Sequence, residues 1–515
     1  MIRVKDIALK PGCGIDDIRK SCERILKTDL AGADMTIARK SVDARRKNDV
    51  RIVWSVDIDG IKDEKKAVRS SGGKASVREP FDYTVKRVKA SERPVVVGFG
   101  PAGMFAALVL AEAGLKPIVL ERGLNAESRM EKVRLFTEKG ILDPECNVQF
   151  GEGGAGTFSD AKLTTRIKDP YIDYILDVFV EHGADPRIRY EPHAHIGTDE
   201  IRKIIERITD KLMEKGCEFH FSEPVRDLIL DDSRKITGII TDKGIYSCDC
   251  FLSGIGHSAY ETVRMFKEKG VHIEKKDIAL GFRVEHPQSL IDARQTGGII
   301  KEANEYFLRY KGEKGVYSFC MCPGGIVIPA MSEKQTIVTN GMSYAARDSL
   351  IANSAILIQI RKEEFTDGYE YLHGIERKAY DHSGSYKALS QNISDFMNGG
   401  LKPLIRESTY PLGTVLYDFN QFFRKDDLQI VKQALRDFDR KIPGFIEQGI
   451  MIGPETRSSC PIRINRNETY ESVNTPGLYP MGEGAGYGGG IMSCALDGIR
   501  IANAILLKYE QISGK

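Results

Sequence analysis

Residues 93–122 read RPVVVGFGPAGMFAALVLAEAGLKPIVLER, and this stretch decides the fold class. The apolar run 95–97 predicts a short strand that is buried on both faces. A glycine-rich turn follows at once, and the apolar segment after it predicts a helix that stops at Gly114. Residues 117–120 predict a second strand. Together they indicate a β–α–β unit that opens a doubly wound α/β domain.

The residues of this turn match the requirements of a dinucleotide site. Gly98 permits the tight turn, Gly100 lets the backbone approach a pyrophosphate, and Gly103 lets the helix pack close to the strand. The helix beginning at Pro101 and Ala102 offers free N–H groups to phosphates. Glu121, followed by Arg122, ends the second strand where a carboxylate accepts hydrogen bonds from an adenosine ribose. Gly151-x-Gly153-x-x-Gly156 and Gly484-x-Gly486-x-x-Gly489 share the spacing but lack this strand context.

Size and composition exclude several other classes of protein. The chain has 515 residues, 41% of them hydrophobic, and a net charge of +2, so neither a membrane protein nor a large basic nucleic-acid face is indicated. Ten cysteines in a chain of this length do not predict a disulfide scaffold. No secretion signal is recognisable at the N-terminus, so we expect reduced thiols and a cytoplasmic protein. No spacing of Cys, His, Asp or Glu indicates a metal site.

The first 90 residues predict a small unit of their own. Residues 4–9, 34–42 and 50–58 have the pattern of strands and residues 15–26 that of a helix, which indicates a small α+β domain. Residues 61–93 carry ten Lys and Arg against five Asp and Glu. We interpret them as a linker or exposed hairpin; a docking site for an acidic partner is the alternative.

Three further segments extend the predicted ligand site. The glycine-rich residues 147–163 bring backbone close to a ligand, and the polar side chains that follow the glycines are Thr157, Ser159, Asp160 and Lys162. Val225 begins a predicted strand meander that returns the chain to a turn at Gly254, at the edge of the sheet where ligands bind. Residues 477–491, with Gly482 and Glu483, precede a predicted helix over 492–507 whose beginning is Gly490, Ile491 and Met492.

These motifs together resemble two-domain FAD-dependent oxidoreductases of the glutathione-reductase class. The resemblance implies that residues 98–103 hold the ADP half of FAD, that Glu483 contacts the ribityl chain, and that residues 490–492 lie near the flavin O2. Segments such as NVQFGEGGAGTFSDAKL, SGIGHSA, ETRSSCPIR and GLYPMGEGAGYGGGI are also similar to a bacterial family of FAD-dependent dehydrogenases with a small N-terminal α+β domain.

The resemblance sets the predicted architecture. It implies an N-terminal α+β, ferredoxin-like domain with its linker (1–90), a Rossmann-like FAD-binding domain (91–260 and 450–515) and an inserted α+β substrate domain (261–449). We expect FAD as cofactor, a small organic molecule as substrate, and a transient NAD(P)H or an electron carrier as reductant. We expect no membrane partner, and the small net charge disfavours a nucleic-acid partner.

Five residues are the candidates for catalysis on a substrate. His257 and His286 can transfer a proton near neutral pH, or each can be a structural histidine bonded to backbone. Arg283, together with Arg457, can bind a substrate carboxylate, or these arginines can pair with Glu285 or Glu455 instead. Cys320 and Cys322 can pass electrons to a disulfide, or can be alternating core cysteines on a strand.

The predicted function is an FAD-dependent oxidoreductase that transfers hydride through flavin. No Cys-x4-Cys follows Gly103, which argues against the usual flavin dithiol reductase, and no second complete fingerprint indicates a dedicated NAD(P)H domain. Ser253-Gly254 stands where flavin hydroxylases have Asp-Gly. Two alternatives stay open: a flavin-dependent RNA-modifying enzyme that uses the basic region 61–93, and a non-catalytic interaction protein stabilised by FAD.

Overall fold

The N-terminal unit is an antiparallel sheet covered by two helices, in a computed structural model that describes residues 1–46 and 49–513. Its elements are β1 (Ile2–Leu9), α1 (Ile15–Leu26), β2 (Asp34–Asp43), β3 (Arg51–Asp59), α2 (Glu64–Ser70) and β4 (Ala75–Val77). The strand order β2-β3-β1-β4 is that of a split β–α–β unit. The predicted strands and helix of this unit are confirmed to within two residues.

The interpretation of residues 61–93 as linker or hairpin is wrong for α2 and β4. The Asp63 carboxylate caps α2 by accepting a hydrogen bond from the Lys66 N–H at 2.9 Å, and Ala67 is buried against the sheet. Helix α2 has seven residues and β4 has three, so neither is long enough to show a hydrophobic period. Arg78, just after β4, pairs with Asp57 at 2.7 Å and with Asp173 at 2.6 Å, which ties this unit to the rest of the chain.

A parallel sheet follows, built from strands that are distant in sequence. The elements of this region are β5 (Val95–Val97), α3 (Pro101–Glu112), β6 (Ile118–Leu120), α4 (Ala126–Lys139), α5 (Tyr171–Glu181), α6 (Thr198–Glu214), β7 (Glu218–His220), β8 (Val225–Leu230), β9 (Ile236–Thr241), β10 (Ile245–Ser247), β11 (Phe251–Ser253) and α7 (Tyr260–Glu268). Strands β8 to β10 form a separate antiparallel meander in the order β10-β9-β8. The end of the predicted meander is split into two strands: β10 stays in the meander and β11 enters the parallel sheet.

A larger, mostly antiparallel sheet occupies the second half of the chain. Its region contains β12 (Ile273–Lys275), β13 (Ile278–Pro287), α8 (Gln288–Thr296), β14 (Arg309–Lys311), β15 (Gly315–Cys322), β16 (Ile326–Pro329), β17 (Thr339–Met342), β18 (Ile351–Ile360), α9 (Gly368–Ser383), β19 (Ala388–Asn392), α10 (Ile393–Asn398), β20 (Thr414–Leu416), α11 (Lys425–Lys441), β21 (Ile450–Glu455) and β22 (Ile462–Ile464). The strand order is β14-β15-β18-β13-β21-β19-β20. The division of the chain at residues 260 and 450 stays a prediction; β21 pairs within this larger sheet.

The chain ends by returning to the parallel sheet. Strand β23 (Leu478–Pro480) pairs with β11, which gives the order β23-β11-β5-β6-β7, and the long α12 (Ile491–Ser513) follows. Helix α12 packs directly on α3: a Cβ at Gly498 would stand 2.1 Å from the Ala102 carbonyl oxygen. The two helices therefore touch backbone to backbone. In the described part of the chain, no helix combines the length and the apolar character that crossing a membrane requires.

Candidate functional site

A large cavity lies at the carboxyl ends of the parallel strands. Residues that follow each of those strands line it: Gly98 after β5, Glu121 after β6, Glu223 after β7, Gly254 after β11 and Met481 after β23. In open α/β sheets this edge is where ligands bind, because the loops that leave the strands are free to shape a crevice there. The order of the strands in the parallel sheet therefore brings five distant parts of the chain to one site.

One side of the cavity, which we call the backbone wall, consists of the turns at 98–103, 151–156, 254–256 and 482–491. Gly98 has φ +86°, and a Cβ there would stand 2.4 Å from the Gly254 carbonyl oxygen. Gly154 has φ +65°, and its Cβ would lie 2.9 Å from the Cα of Gly100. These turns touch one another so closely that side chains are excluded, which leaves main-chain groups facing the cavity.

Two helix beginnings face this same cavity. Pro101 begins α3 and Ile491 begins α12, and both residues line the cavity although 390 positions separate them in the sequence. Neither helix carries an acidic side chain in its first turn. The free N–H groups and the positive ends of the two helix dipoles are therefore available to a ligand that carries negative charge or carbonyl oxygens.

Glu121 ties the turns of the backbone wall together. Its carboxylate is buried and accepts hydrogen bonds from the backbone N–H groups of Phe99 at 2.8 Å, Gly123 at 3.0 Å and Gly151 at 2.9 Å. A carboxylate can accept about four hydrogen bonds, so one position is left for a ligand hydroxyl. The residue assigned to a ribose from sequence thus also holds the glycine turns in place.

Arg129 supports the backbone wall from behind and was not singled out from the sequence. It projects from α4, is fully buried, and donates to the carbonyl oxygens of Asn147 at 2.9 Å, Gly151 at 3.2 Å and Glu152 at 2.7 Å. Burial lowers its pKa to about 10. The sequence offers one indirect signal for such a residue: a buried glycine-rich loop needs a hydrogen-bond donor for its carbonyl groups.

The opposite side, which we call the side-chain wall, comes from the larger sheet. It consists of Phe319, Cys320, Asn340, Glu455 and Arg457, supplied by β15, β17, β21 and the residue pair after β21. In contrast to the backbone wall, it presents an aromatic ring, a thiol, an amide and charged groups. This side therefore has the chemical variety that recognition of a substrate needs.

Arg283 organises the side-chain wall without lining the cavity. Its guanidinium is fully buried and donates to Glu455 at 2.7 and 3.3 Å, to Asn340 and Asn353 at 2.9 and 2.8 Å, and to the Cys320 carbonyl oxygen at 2.9 Å. Of the two roles open from sequence, the structure shows the pairing with Glu455. Burial raises the pKa of the Glu455 carboxyl to about 7, against the attraction of Arg283. Glu455, also missed as a catalytic candidate, is thus a cavity group that titrates near neutral pH.

A charged network links the glycine-rich segment 147–163 to the region of the larger sheet. Arg347 donates to the Asp160 carboxylate and lies 3.1 Å from a Glu305 oxygen, while Lys162 binds Glu305 at 3.0 Å and donates to the Met321 carbonyl oxygen. Burial opposes the charge of Lys162, but Glu305 and Asp160 raise its pKa above the usual value. Both cations are therefore charged at neutral pH and hold the glycine-rich segment against β15.

The two histidine candidates lie in different places. His257 lines the cavity, its Nδ1 is 3.5 Å from a Glu483 oxygen, and its buried Nε2 has no partner among the described residues. His286 points away from the cavity: it lies three residues after Arg283 on β13, so the two side chains leave opposite faces of the sheet. Its Nε2 is 2.8 Å from the Phe445 carbonyl oxygen, and burial lowers its pKa to about 4.

The predicted cofactor residues mostly line the cavity. Those that do are Gly98, Gly100, Pro101, Ala102, Glu121, Arg122, Ser159, Asp160, Lys162, Val225, Gly254, Gly482, Glu483, Gly490 and Ile491. Gly103, Thr157 and Met492 lie behind it. A Cβ at Gly103 would stand 2.0 Å from the Gly98 carbonyl oxygen, the Thr157 hydroxyl donates to the Glu152 carbonyl oxygen, and Met492 is in the core.

Comparison with known proteins decides the family. A protein of Clostridium beijerinckii, described as uncharacterized, is 40% identical over 535 aligned residues that cover 99% of each chain. The chain belongs to the family of this clostridial protein. Within it, residues 277–458 match the family described as FAD-dependent protein, C-terminal domain-like, and this match covers nearly the whole of the larger sheet.

Solved structures resemble the chain only loosely. The halogenase PltM is 10% identical, covers 82% of this chain and 70% of its own, and has a TM-score of 0.37. CtdE in complex with FAD is 10% identical, covers 83% of this chain and 91% of its own, and has a TM-score of 0.32. Likeness at this level supports no argument about the site, which rests on the geometry above and on the family.

The lining of the cavity fits an FAD molecule. Added Cβ atoms at Gly256, Gly489 and Gly490 would meet nothing within 4 Å, so bare backbone faces open space at three points of the backbone wall. Among the described residues, His257 Nε2 and the Ser258 hydroxyl are buried in the cavity lining without a partner, and a polar ligand would satisfy both groups. Phosphates suit the α3 beginning, and the ribose hydroxyls suit the remaining acceptor position of Glu121.

Proposed function

We propose that the protein is an FAD-dependent oxidoreductase that acts on a small organic substrate. The observation that carries the proposal is the convergence of two helix beginnings and four glycine turns on one cavity. The Gly98–Gly103 turn and Glu121 would hold the ADP half, Glu483 the ribityl chain, and the beginning of α12 the flavin end. When bound, FAD supplies hydride and electron transfer, which amino-acid side chains do not.

The side-chain wall supports a substrate position opposite the backbone wall. Phe319 is 38% exposed, which leaves an aromatic face for a substrate, and Asn340 offers an amide for hydrogen bonding. Glu455, with its pKa of about 7, can hold or release a proton at its carboxyl oxygen near neutral pH. On the other side of the cavity, the buried Nε2 of His257 has no partner among the described residues and can form a hydrogen bond with a ligand. These groups support acid–base assistance to a two-electron reaction.

The proposal includes a transient nicotinamide nucleotide or an electron carrier as the source of electrons. In the described residues, Val95 to Glu121 is the stretch in which a strand, a glycine turn, a helix and a second strand ending on a carboxylate occur together. A second nucleotide would therefore bind without such a fingerprint. A cytoplasmic location also belongs to the proposal, since the ten cysteines are free.

Flavin content of paired variants tests the proposal. Gly100 has φ −79°, so Gly100→Val does not strain the backbone, yet it places a branched side chain on the backbone wall, 3.7 Å from Gly154. We expect purified wild-type protein to release FAD on denaturation and Gly100→Val to lose at least nine-tenths of it. Gly374→Val is the matched control, because a Cβ there meets nothing within 4 Å.

Two results would overturn the assignment: wild-type protein that neither carries nor takes up FAD, or Gly100→Val that keeps a full complement. Circular dichroism of both variants shows whether the fold is retained. Anaerobic mixing of the yellow protein with NADH or NADPH then identifies the reductant, through bleaching of the flavin absorbance.

A further inference from the structure

Two Cys-x-Cys pairs in this chain have opposite surroundings. Cys248 and Cys250 precede β11, and both are buried, but they pack into different hydrophobic cores, one on each side of the parallel sheet. Burial raises the pKa of both thiols, that of Cys248 to about 12. Cys320 lines the cavity, and Cys322 is buried directly behind it. The same spacing therefore yields two thiols in separate hydrophobic cores in one place and a pair at the cavity in the other.

A β-bulge brings Cys320 to the cavity. Strand β15 pairs with β18 through Phe319 opposite Ala355 and Cys322 opposite Asn353, so β15 has one residue more than its partner between these pairs. Cys320 takes up the irregularity with φ +42°, a conformation that residues other than glycine rarely adopt. In a regular strand, residues 320 and 322 would be alternating core cysteines, which is the second possibility that the sequence left open. The bulge breaks that alternation and holds the backbone of Cys320 in a strained conformation at the site.

Cationic groups surround this pair. Arg283 donates to the Cys320 carbonyl oxygen and has its Nη1 4.0 Å from the Cys322 sulfur, and Lys162 donates to the carbonyl oxygen of Met321 between them. The Cys322 thiol lowers the pKa of Cys320 to about 6, and Arg283 and Lys162 act in the same direction against burial. The pKa of Cys322 is raised. One thiolate next to one thiol is the combination that attacks a disulfide and then resolves the product.

We propose that Cys320 and Cys322 form a redox-active dithiol and that a small disulfide is a substrate of the cavity. The Cys320 thiolate attacks one sulfur of the substrate, breaks its S–S bond and releases the first thiolate. The Cys322 thiol gives up its proton and attacks the Cys320 sulfur, which forms an internal disulfide and releases the second thiolate. The dithiol loses two electrons, the substrate gains them, and the released proton is taken up by a product thiolate.

Return to the dithiol requires two electrons and one proton. This return rests on the proposed function, because FAD reduced by the proposed nicotinamide nucleotide or electron carrier would supply the two electrons. The inference differs from the flavin dithiol reductases excluded by sequence in one respect: the cysteines come from the larger sheet and not from the helix after the first glycine motif. The pair is therefore part of the side-chain wall.

Peptide mapping tests the pair directly. Trypsin cleavage gives peptide 315–334, which carries Cys320 and Cys322 and no other cysteine, and peptide 244–264, which carries only Cys248 and Cys250. FAD-loaded protein is equilibrated with mixtures of oxidised and reduced glutathione, quenched in acid, alkylated and analysed by mass spectrometry. We expect an internal disulfide in 315–334 and a fully alkylated 244–264. Peptide 315–334 without an internal disulfide at every glutathione ratio would overturn the inference.

Single variants separate the two roles. In Cys322→Ser the resolving thiol is missing, so a mixed disulfide with glutathione should accumulate on Cys320; in Cys320→Ser neither product should form. A mixed disulfide that persists in the wild-type protein as it does in Cys322→Ser would show a lone nucleophile and contradict the pair. The flavin absorbance of the same samples reports on the proposed function independently: protein without flavin contradicts that proposal, and flavin-loaded protein without the internal disulfide contradicts the dithiol alone.

Two further measurements sharpen the result. The pH dependence of iodoacetamide labelling of Cys320 should have its midpoint near 6, and Cys322→Ala should move it upward by a unit or more. After oxidation of the pair with oxidised glutathione, anaerobic reductive titration should consume twice as many electrons per flavin in the wild-type protein as in Cys320→Ser. A labelling midpoint above 8 with no change in Cys322→Ala, or equal electron counts, would contradict the proposal.

Discussion

The two walls of the cavity are built on different physical principles. The backbone wall excludes side chains: at Gly98 and Gly154 an added Cβ would approach another main chain within 3 Å. The side-chain wall depends on one fully buried arginine, Arg283, that holds an acid, two amides and a carbonyl group together. The first is suited to a cofactor whose phosphates and ring can bind to N–H groups. The second is suited to a substrate that must be distinguished from others.

The largest expected effect is on the backbone wall. Gly98→Ala combines a strained φ of +86° with a Cβ 2.4 Å from the Gly254 carbonyl oxygen, and we expect a loss of about 4 kcal/mol of stability. Gly256→Ala has a similar φ, +74°, but its Cβ meets nothing, so it should cost about 1 kcal/mol. Urea unfolding of both variants measures the difference. Equal losses would mean that close approach of the turns does not define this wall.

The next effect concerns the support behind the same wall. Arg129→Leu leaves the buried Asn147 carbonyl without its donor among the described residues and removes one of the two donors to the carbonyl groups of Gly151 and Glu152. We expect a loss of about 3 kcal/mol together with faster release of FAD. The control is Arg134→Leu on the same helix, where the arginine is exposed and pairs with Glu131 and Glu138; it should change stability by no more than about 0.5 kcal/mol. Similar flavin release in the two variants would contradict a role for Arg129 in the site.

The smallest of these effects distinguishes the two faces of the larger sheet. The pKa of His286 is lowered to about 4 by burial, with Arg406 acting in the same direction, whereas an unfolded histidine titrates near 6.5. Between these values the unfolded chain binds a proton that the folded chain does not, so stability falls as the pH falls. From pH 7 to pH 5 the loss from this residue is about 2 kcal/mol.

Paired unfolding experiments isolate this contribution. Wild-type protein and His286→Gln are unfolded in urea at pH 7 and at pH 5, and the wild type should show the additional pH-dependent loss. Flavin content should be unaffected, because His286 lies on the face of β13 opposite Arg283. Identical pH dependence in the two proteins would show that His286 is protonated in the folded state or exposed to solvent.

Much of the backbone wall was predictable from the sequence. Glycine spacing, a preceding apolar run and a carboxylate about twenty positions later identify the β5–α3–β6 turn, because each of those residues answers a local steric need. The later segments with Gly254 and Gly482 were also assigned to the site, and both line the cavity. Side chains alternate between the two faces of a strand, so Arg283 and His286, three positions apart, cannot share a face. This was already readable from the sequence, although both residues were put forward as catalytic.

The side-chain wall was only partly predictable. Cys320 was proposed as a catalytic candidate, but the sequence does not distinguish a regular strand from a bulged one. The bulge in β15 is what brings this thiol to the cavity. Glu455 was considered only as a partner of Arg283, because its pKa near 7 depends on complete burial. Arg129 carries no motif, since its role depends on which carbonyl groups the loop at 147–152 leaves inside the fold.

The β5–α3–β6 unit follows from the amino-acid sequence alone, since local sterics of glycine and runs of buried apolar residues act over a few positions. The environment of each ionisable and thiol group depends instead on the assembled fold. Burial and neighbouring charge are sums over residues that are far apart along the chain, as the contrast between Cys248–Cys250 and Cys320–Cys322 shows. Identical spacing therefore leads to different chemistry once the strands have assembled.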